Sequence, residues 1–148
     1  MTRQAAQLIT TFLTLLVTAP ASALEYKSLA ENAVAYDACS TKAQPLFILL
    51  KGTPVEVIVS IDKWIKIREQ TGGLGCIESR LLTSAQQVIV TDQNADVLTR
   101  ADPGAPVVFS VVRGVVLEAL EKPSGIWLKV RHRDGQTGFI PLKSVWGI

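Results

Sequence analysis

When the chain is slid along itself by 62 or 63 residues, its second half meets its first. Leu46 falls on Val108, Lys51-Gly52 on Arg113-Gly114 and Glu56 on Glu118. After a one-residue insertion in the second copy, Trp64 falls on Trp127, Lys66 on Lys129, Ile67-Arg68 on Val130-Arg131, and Gly75-Cys76-Ile77 on Gly138-Phe139-Ile140. So many coincidences at one offset mark an internal repeat. A length of 148 residues then divides into two very small domains rather than one larger one. Each unit has about 55 to 60 residues, too few for a large cofactor fold.

Within each unit the apolar period is two. Val55, Val57 and Val59 alternate with Pro54, Glu56 and Ile58, and Ile65 and Ile67 alternate with Trp64, Lys66 and Arg68. The second copy repeats the scheme with Leu128 and Val130 against Trp127, Lys129 and Arg131. A load of 16 Val and 11 Ile suits pleated strands, where β-branched side chains pack well. Gly72-Gly73 turns the first copy and Asp134-Gly135 the second. Outside the N-terminal segment no stretch keeps apolar residues at helical spacing between caps, so the predicted class is all-β. The joint between units is predicted at 83–87, a polar stretch before Val88-Ile89-Val90 that is short enough to limit relative motion.

Residues 1–23 read as a secretory signal peptide. Arg3 and the α-amine supply positive charge, and Leu8 to Val17 form an apolar stretch. Pro20 breaks it, and Ala21-Ser22-Ala23 offers the small-x-small pattern of a cleavage site. The apolar stretch is too short to span a bilayer, so no stable membrane insertion is expected after cleavage before Leu24. An uncleaved anchor is the alternative. The residue after the site is Leu24 and not a cysteine, which disfavours a lipoprotein. The expected location is periplasmic or otherwise exported, where a disulfide can form.

Lys+Arg 15 against Asp+Glu 13 leaves a charge of +2 with no basic run, which argues against nucleic acid as a partner. Lys129, Arg131 and Arg133 alternate along one predicted strand. They either meet an anionic ligand or, as a solvated face, discourage edge pairing. His132 is the single His, and no Cys or carboxylate cluster stands at ligand spacing, so no metal or cofactor is expected. Nothing resembles a nucleophile elbow, and no catalytic residue is assigned. The expectation is a protein that is not an enzyme.

The segment Gly125-Ile126-Trp127-Leu128-Lys129-Val130-Arg131, a turn, then Gly138-Phe139-Ile140-Pro141 and a short helical step before Val145 resembles the bacterial Src-homology-3-like domain family. Lys51-Gly52-Thr53-Pro54-Val55-Glu56-Val57 ahead of Trp64-Ile65-Lys66-Ile67-Arg68 resembles the same plan. The resemblance covers 30–82 and 88–148. It implies two tandem, five-stranded, partly open barrels that bind and do not catalyse. Eukaryotic relatives of the fold grip proline-rich peptides between aromatic side chains. Trp64 and Trp127 match the groove tryptophan, Pro141 the groove proline, and Tyr36-Asp37 part of the first groove motif. Ala38, Leu98, Thr99, Leu81 and Ser144 depart from it, so proline-rich peptides are not the expected ligand. For Trp64 and Trp127 a half-buried cap over the barrel end is the alternative to ligand contact. Trp146 is expected to pack between the units or on the second barrel's end.

By the repeat, Cys76 takes the position of Phe139, where the family places a large aromatic, and Cys39 stands where it has a small residue or proline. The resemblance brings the strand of Cys76 close to the first long loop, which carries Cys39. The chain's two cysteines are therefore expected to form a disulfide, with two buried free thiols as the alternative.

In bacteria such domains often accompany wall hydrolases and hold them to peptidoglycan. The resemblance thus implies an exported binding protein with peptidoglycan as the leading partner. An envelope enzyme or transporter, docked as a protein partner on the same tryptophans, is the competing one. In each unit the expected ligand face is an aromatic plate beside two cations. These are Trp64 with Lys66 and Arg68, and Trp127 with Lys129 and Arg131, extended by Tyr36 and Pro141. The leader is directly testable: intact mass or N-terminal sequencing of the exported protein should give a chain beginning at Leu24. A membrane-bound form that retains Met1 would contradict cleavage.

Overall fold

A computed structural model describes residues 23–148. The predicted signal peptide, apart from Ala23, lies outside the described residues. The first unit consists of β1 (Glu25–Leu29), β2 (Ala33–Tyr36), β3 (Pro45–Leu49), β4 (Pro54–Ile61), β5 (Trp64–Arg68), β6 (Leu74–Glu78) and β7 (Leu82–Thr83). The second consists of β8 (Gln87–Val90), β9 (Asn94–Leu98), β10 (Val107–Val112), β11 (Val116–Ala119), β12 (Trp127–Arg131), β13 (Thr137–Pro141) and β14 (Val145–Trp146). A 3-10 turn, Ser79–Leu81 or Leu142–Ser144, precedes the last strand of each unit.

Each unit is one antiparallel sheet, ordered β3-β2-β6-β5-β4-β1-β7 and β10-β9-β13-β12-β11-β8-β14. Counted from its own first strand, the second order repeats the first, so the repeat in sequence is a repeat of topology. The sheets are all-β and not closed barrels. They hold seven strands each rather than the expected five, because both arms of the β2–β3 and β9–β10 hairpins pair as strands and a two-residue strand ends each unit. The first sheet begins at Glu25, ahead of residue 30, since β1 pairs with both β4 and β7. Thr83 ends β7 and Gln87 opens β8, which narrows the joint to Ser84–Gln86.

Period-two alternation sends one set of side chains inward in each sheet. The first core is Leu29, Ala33, Ala35, Leu49, Val55, Ile65, Ile67, Ile77 and Leu81. The second is Val88, Val90, Ala95, Val97, Val111, Leu117, Leu128, Val130, Ile140 and Val145. The repeat carries one onto the other with compensating volumes: Val55 becomes the larger Leu117, while Ile67 becomes the smaller Val130. Alternation fails at Val59. The register shifts between Val57 and Val59, so Val57 faces Ile67, whereas Val59 faces Lys66 and Ile61 faces Trp64. This bulge turns Val59 and Ile61 outward, where both are exposed.

Two equivalent glycines permit a close approach of strands. A Cβ on Gly138 would stand 2.6 Å from the Leu98 carbonyl oxygen and 2.7 Å from Val97 Cγ1, and one on Gly75 would stand 2.9 Å from Ala35 Cβ. Between the units, the Gln87 N–H donates to Ser28 Oγ at 3.0 Å, and from the joint Gln86 Nε2 donates to the Gly147 carbonyl of the second unit at 3.0 Å. Tyr26 and Trp146 meet edge to face with centroids 5.1 Å apart. Trp146 thus packs between the units, one of its two expected places. Burial and the nearby Glu56 carboxylate raise the pKa of the Tyr26 phenol, against the opposing effect of Arg68.

Gly138→Ala should cost about 1–3 kcal/mol in urea unfolding, because the new methyl meets backbone that cannot move aside. Gly104→Ala is the control: its Cβ would meet only Asp102 Oδ1 at 3.7 Å, so a change within about 0.5 kcal/mol is expected. Equal losses at both positions would contradict the close-approach explanation.

Candidate functional site

On β5, Ile65 and Ile67 point into the core, which sets Trp64, Lys66 and Arg68 on the outer side of the first sheet. Trp64 faces Ile61 and Glu78, Lys66 faces Val59 and Cys76, and Arg68 faces Glu56 and Leu74. Tyr36 meets the half-buried Trp64 ring edge-on, with centroids 5.8 Å apart. Cys39 and Cys76 form the expected disulfide, with Cα atoms 5.0 Å apart. The bond fastens the loop between β2 and β3 to β6. Beside it lies a cleft of about 290 Å³ whose walls include Asp37, Cys39, Ile61, Lys66, Leu74 and Cys76.

The second face uses the same strand positions with different chemistry. Trp127, Lys129 and Arg131 stand on the outer side of β12, and Trp127 faces Pro141 across the strands. Pro103, Ile126, Trp127, Pro141, Leu142 and Lys143 line an apolar cleft of about 370 Å³. Leu98 replaces Tyr36 at the pair with β13, and Phe139 replaces Cys76. In the first unit Glu78 takes the position of Pro141 and accepts a hydrogen bond from Arg80 Nε at 2.8 Å. The first face is therefore edged by an ion pair, whereas the second is an open apolar cleft.

A model of the bacterial SH3 domain matches residues 30–83 and again 91–147. The chain belongs to the bacterial SH3 domain family. Similar solved structures include NlpC1 from Trichomonas vaginalis, at 15% identity and TM-score 0.39 over 90% of this chain and 50% of that one. NlpC2 from Trichomonas vaginalis matches at 11% identity and TM-score 0.40 over 86% of this chain and 49% of that one. An NlpC/P60 family protein from Bacillus cereus matches at 13% identity and TM-score 0.38 over 82% of this chain and 56% of that one. This chain spans about half the length of each. A search of curated proteins found no match.

In these SH3 domains the outer cations are largely engaged. Arg68 Nη1 donates to both carboxylate oxygens of Glu56, at 3.2 and 2.9 Å. Arg131 clamps Glu118 through Nε at 3.0 Å and Nη2 at 2.8 and 2.9 Å. Lys129 Nζ lies 3.1 Å from Glu121 Oε1 and 5.9 Å from the Phe139 ring centroid. Among the described residues Lys66 has no carboxylate at pairing distance. Sequence reasoning missed both Arg–Glu pairs, although the signal was present: the repeat that lays Glu56 on Glu118 also lays Arg68 on Arg131, once the one-residue insertion between them is allowed for. It also missed Pro103, Ile126, Leu142 and Lys143, which reach Trp127 from three separate segments.

Arg133 lies past the end of β12, so the expected stripe stops at Arg131. His132 Nδ1 lies 3.0 Å from Asp134 Oδ1, and its ring packs on Phe109 at 5.7 Å. Hydrogen bonds from the Gln136 backbone and side chain, with a further contribution from His132, hold the Asp134 carboxyl at about 2.

The two Arg–Glu pairs should differ in weight. The Glu56 side chain is 8% exposed and that of Glu118 43%. Arg68→Met strands a buried carboxylate and should cost about 2–3 kcal/mol in urea unfolding at pH 7, discounted for the exposed guanidinium. Arg131→Met should cost under about 1 kcal/mol. Equal losses would mean that burial of Glu56 is not what sets the difference.

Proposed function

We propose that this chain is an exported, non-catalytic binding protein of the bacterial cell envelope, with peptidoglycan as its leading target. The observation that carries the reading is the duplication: two bacterial SH3 domains each present a tryptophan at the same outer position of the same strand. The N-terminal leader motif and the Cys39–Cys76 bond support export. A non-catalytic role is supported by the single His132, whose imidazole already lies against Asp134 and Phe109. Trp64 with Tyr36 and Lys66 offers an aromatic plate and a cation to a carboxylate-bearing sugar or peptide. Trp127 with Pro141 offers a plate in an apolar cleft. Two such weak contacts on one polymer reinforce each other, since the second binds at an effective concentration of about millimolar.

A second reading is favoured by one feature of the second domain. Its cleft is walled by Pro103, Ile126, Trp127, Pro141 and Leu142, a lining that suits apolar side chains of an envelope protein better than hydroxyl-rich glycan. Trp64→Ala, Trp127→Ala and the double variant, each confirmed folded by circular dichroism, separate these readings. Each single change should weaken sedimentation with purified sacculi by about tenfold or more, and the double change should abolish it. Undiminished sacculus binding by the folded double variant would overturn the wall reading at these faces. If the native protein captures envelope proteins but never sacculi, and Trp127→Ala removes that capture, protein docking is the function.

A further inference from the structure

The disulfide sits where its two sulfurs are unlike. Cys39 is partly exposed on the loop between β2 and β3, whereas Cys76 is 4% exposed within β6. Both border the cleft of about 290 Å³, open to solvent, that Lys66 shares. Lys66 stands directly opposite Cys76 in the β5–β6 register, so the two side chains rise on the same sheet face. Its ammonium has no carboxylate at pairing distance among the described residues. The one acid lining the cleft, Asp37, is occupied at Oδ1 by the Gln44 N–H at 2.9 Å.

The bond ties the loop to β6. Its hydrogen bonds run within it: Asp37 N–H to the Gln44 carbonyl, Gln44 N–H to Asp37, Ala43 N–H to the Ser40 carbonyl and Lys42 N–H to Ser40 Oγ. Behind it, β2 meets β6 through the single pair Tyr36 and Cys76. The corresponding loop of the second domain, 99–106, carries no cysteine, and Ala105 is buried there instead.

The geometry points to Cys39–Cys76 as a thiol-exchange site for a dithiol reductant, with Cys39 as the sulfur attacked and Lys66 opposite the cysteine that leaves. A thiolate of the dithiol attacks Cys39 Sγ from the cleft and forms a mixed disulfide. The Cys39–Cys76 bond breaks with its electron pair on Cys76, as a thiolate in the cleft that Lys66 also lines, on the strand position opposite. The second thiol of the partner then attacks the mixed disulfide and expels Cys39 as a thiolate. The partner is oxidised to its disulfide, this chain is reduced by two electrons, and the two protons shed by the partner's thiols balance the two cysteines formed. Without a cation, a thiolate at the buried Cys76 position would be costly. Reduction frees the loop and loosens the Tyr36–Trp64 plate, while the second domain is untouched. The inference concerns the bond and holds whatever ligand the faces take.

Dithiothreitol is the probe, with iodoacetamide trapping and intact mass as the readout on folded protein. The folded bond should be reduced within about tenfold of the rate in urea-unfolded protein, because attack needs no unfolding. Lys66→Gln should slow reduction of the folded protein by about 3- to 10-fold, and Lys66→Arg should restore it. In urea the three forms should react alike. After reduction, amide exchange should accelerate across 37–44 and stay unchanged across 99–106. Reduction no faster than global unfolding, or a Lys66→Gln rate equal to the native one, would overturn the proposal. Loss of amide protection throughout the first domain on reduction would overturn it too, since exchange would then require the domain to unfold.

Discussion

In each SH3 domain a hairpin joins the rest of its sheet through one residue pair, Tyr36 with Cys76 or Leu98 with Phe139. Immediately before the second member stands a glycine, Gly75 or Gly138, with no room for a Cβ. The hairpin supplies Ala33, Ala35 and Leu49 to the first core and Ala95, Val97 and Val111 to the second. A wider gap at the glycine would lift those side chains off cores that are already small. Each square ångström of apolar surface re-exposed costs about 25 cal/mol.

The two domains reinforce that narrow joint by different physics. In the first, a covalent bond closes a loop with a sequence separation of 37, which in the chain-entropy model stabilises by about 3–4 kcal/mol through the unfolded state. In the second, a half-buried Phe139 stands at the Cys76 position, with the Lys129 ammonium over its ring. A ring stabilises only while it is packed, whereas a bond holds without packing. The first domain can therefore carry a loop whose hydrogen bonds are internal and an outer face on which Val59, Ile61 and Leu74 stay exposed.

The parts of the fold legible in sequence were those governed by local periodicity. Ile65 and Ile67, or Leu128 and Val130, declare a strand with one buried side, and an offset that preserves them declares a second copy. Periodicity does not reveal register. The bulge at Ile58 inverts the strand after Val57, and nothing in the Val-Glu-Val-Ile-Val run marks it. Nor does a list of outward residues reveal partners across strands. Arg68 and Arg131 read as free cations until the register sets Glu56 and Glu118 opposite them. The disulfide was legible because the family pattern supplied the pairing of strand and loop that spacing alone lacks. The Trp127 cleft was legible in Pro141 and illegible in Pro103, which reaches it from a distant loop.

Duplication usually suggests two equal hands, and the joint here argues for something more restrictive. Three residues, Ser84–Gln86, connect the sheets, the Gln86–Gly147 hydrogen bond ties this joint to the second domain, and the Ser28–Gln87 and Tyr26–Trp146 contacts bridge the two sheets. With so little slack, the span between the two tryptophan faces is set by packing rather than by a flexible tether. Avidity on a polymer then depends on whether that fixed span matches the polymer's own spacing, and it vanishes when it does not. The faces themselves have diverged, one edged by Glu78 and Arg80, the other lined by Pro103 and Pro141. A ligand that engages both must therefore present two chemically different groups at one separation. This demand favours a branched or composite target over a uniform chain, because a uniform chain would offer the apolar cleft and the polar plate the same group.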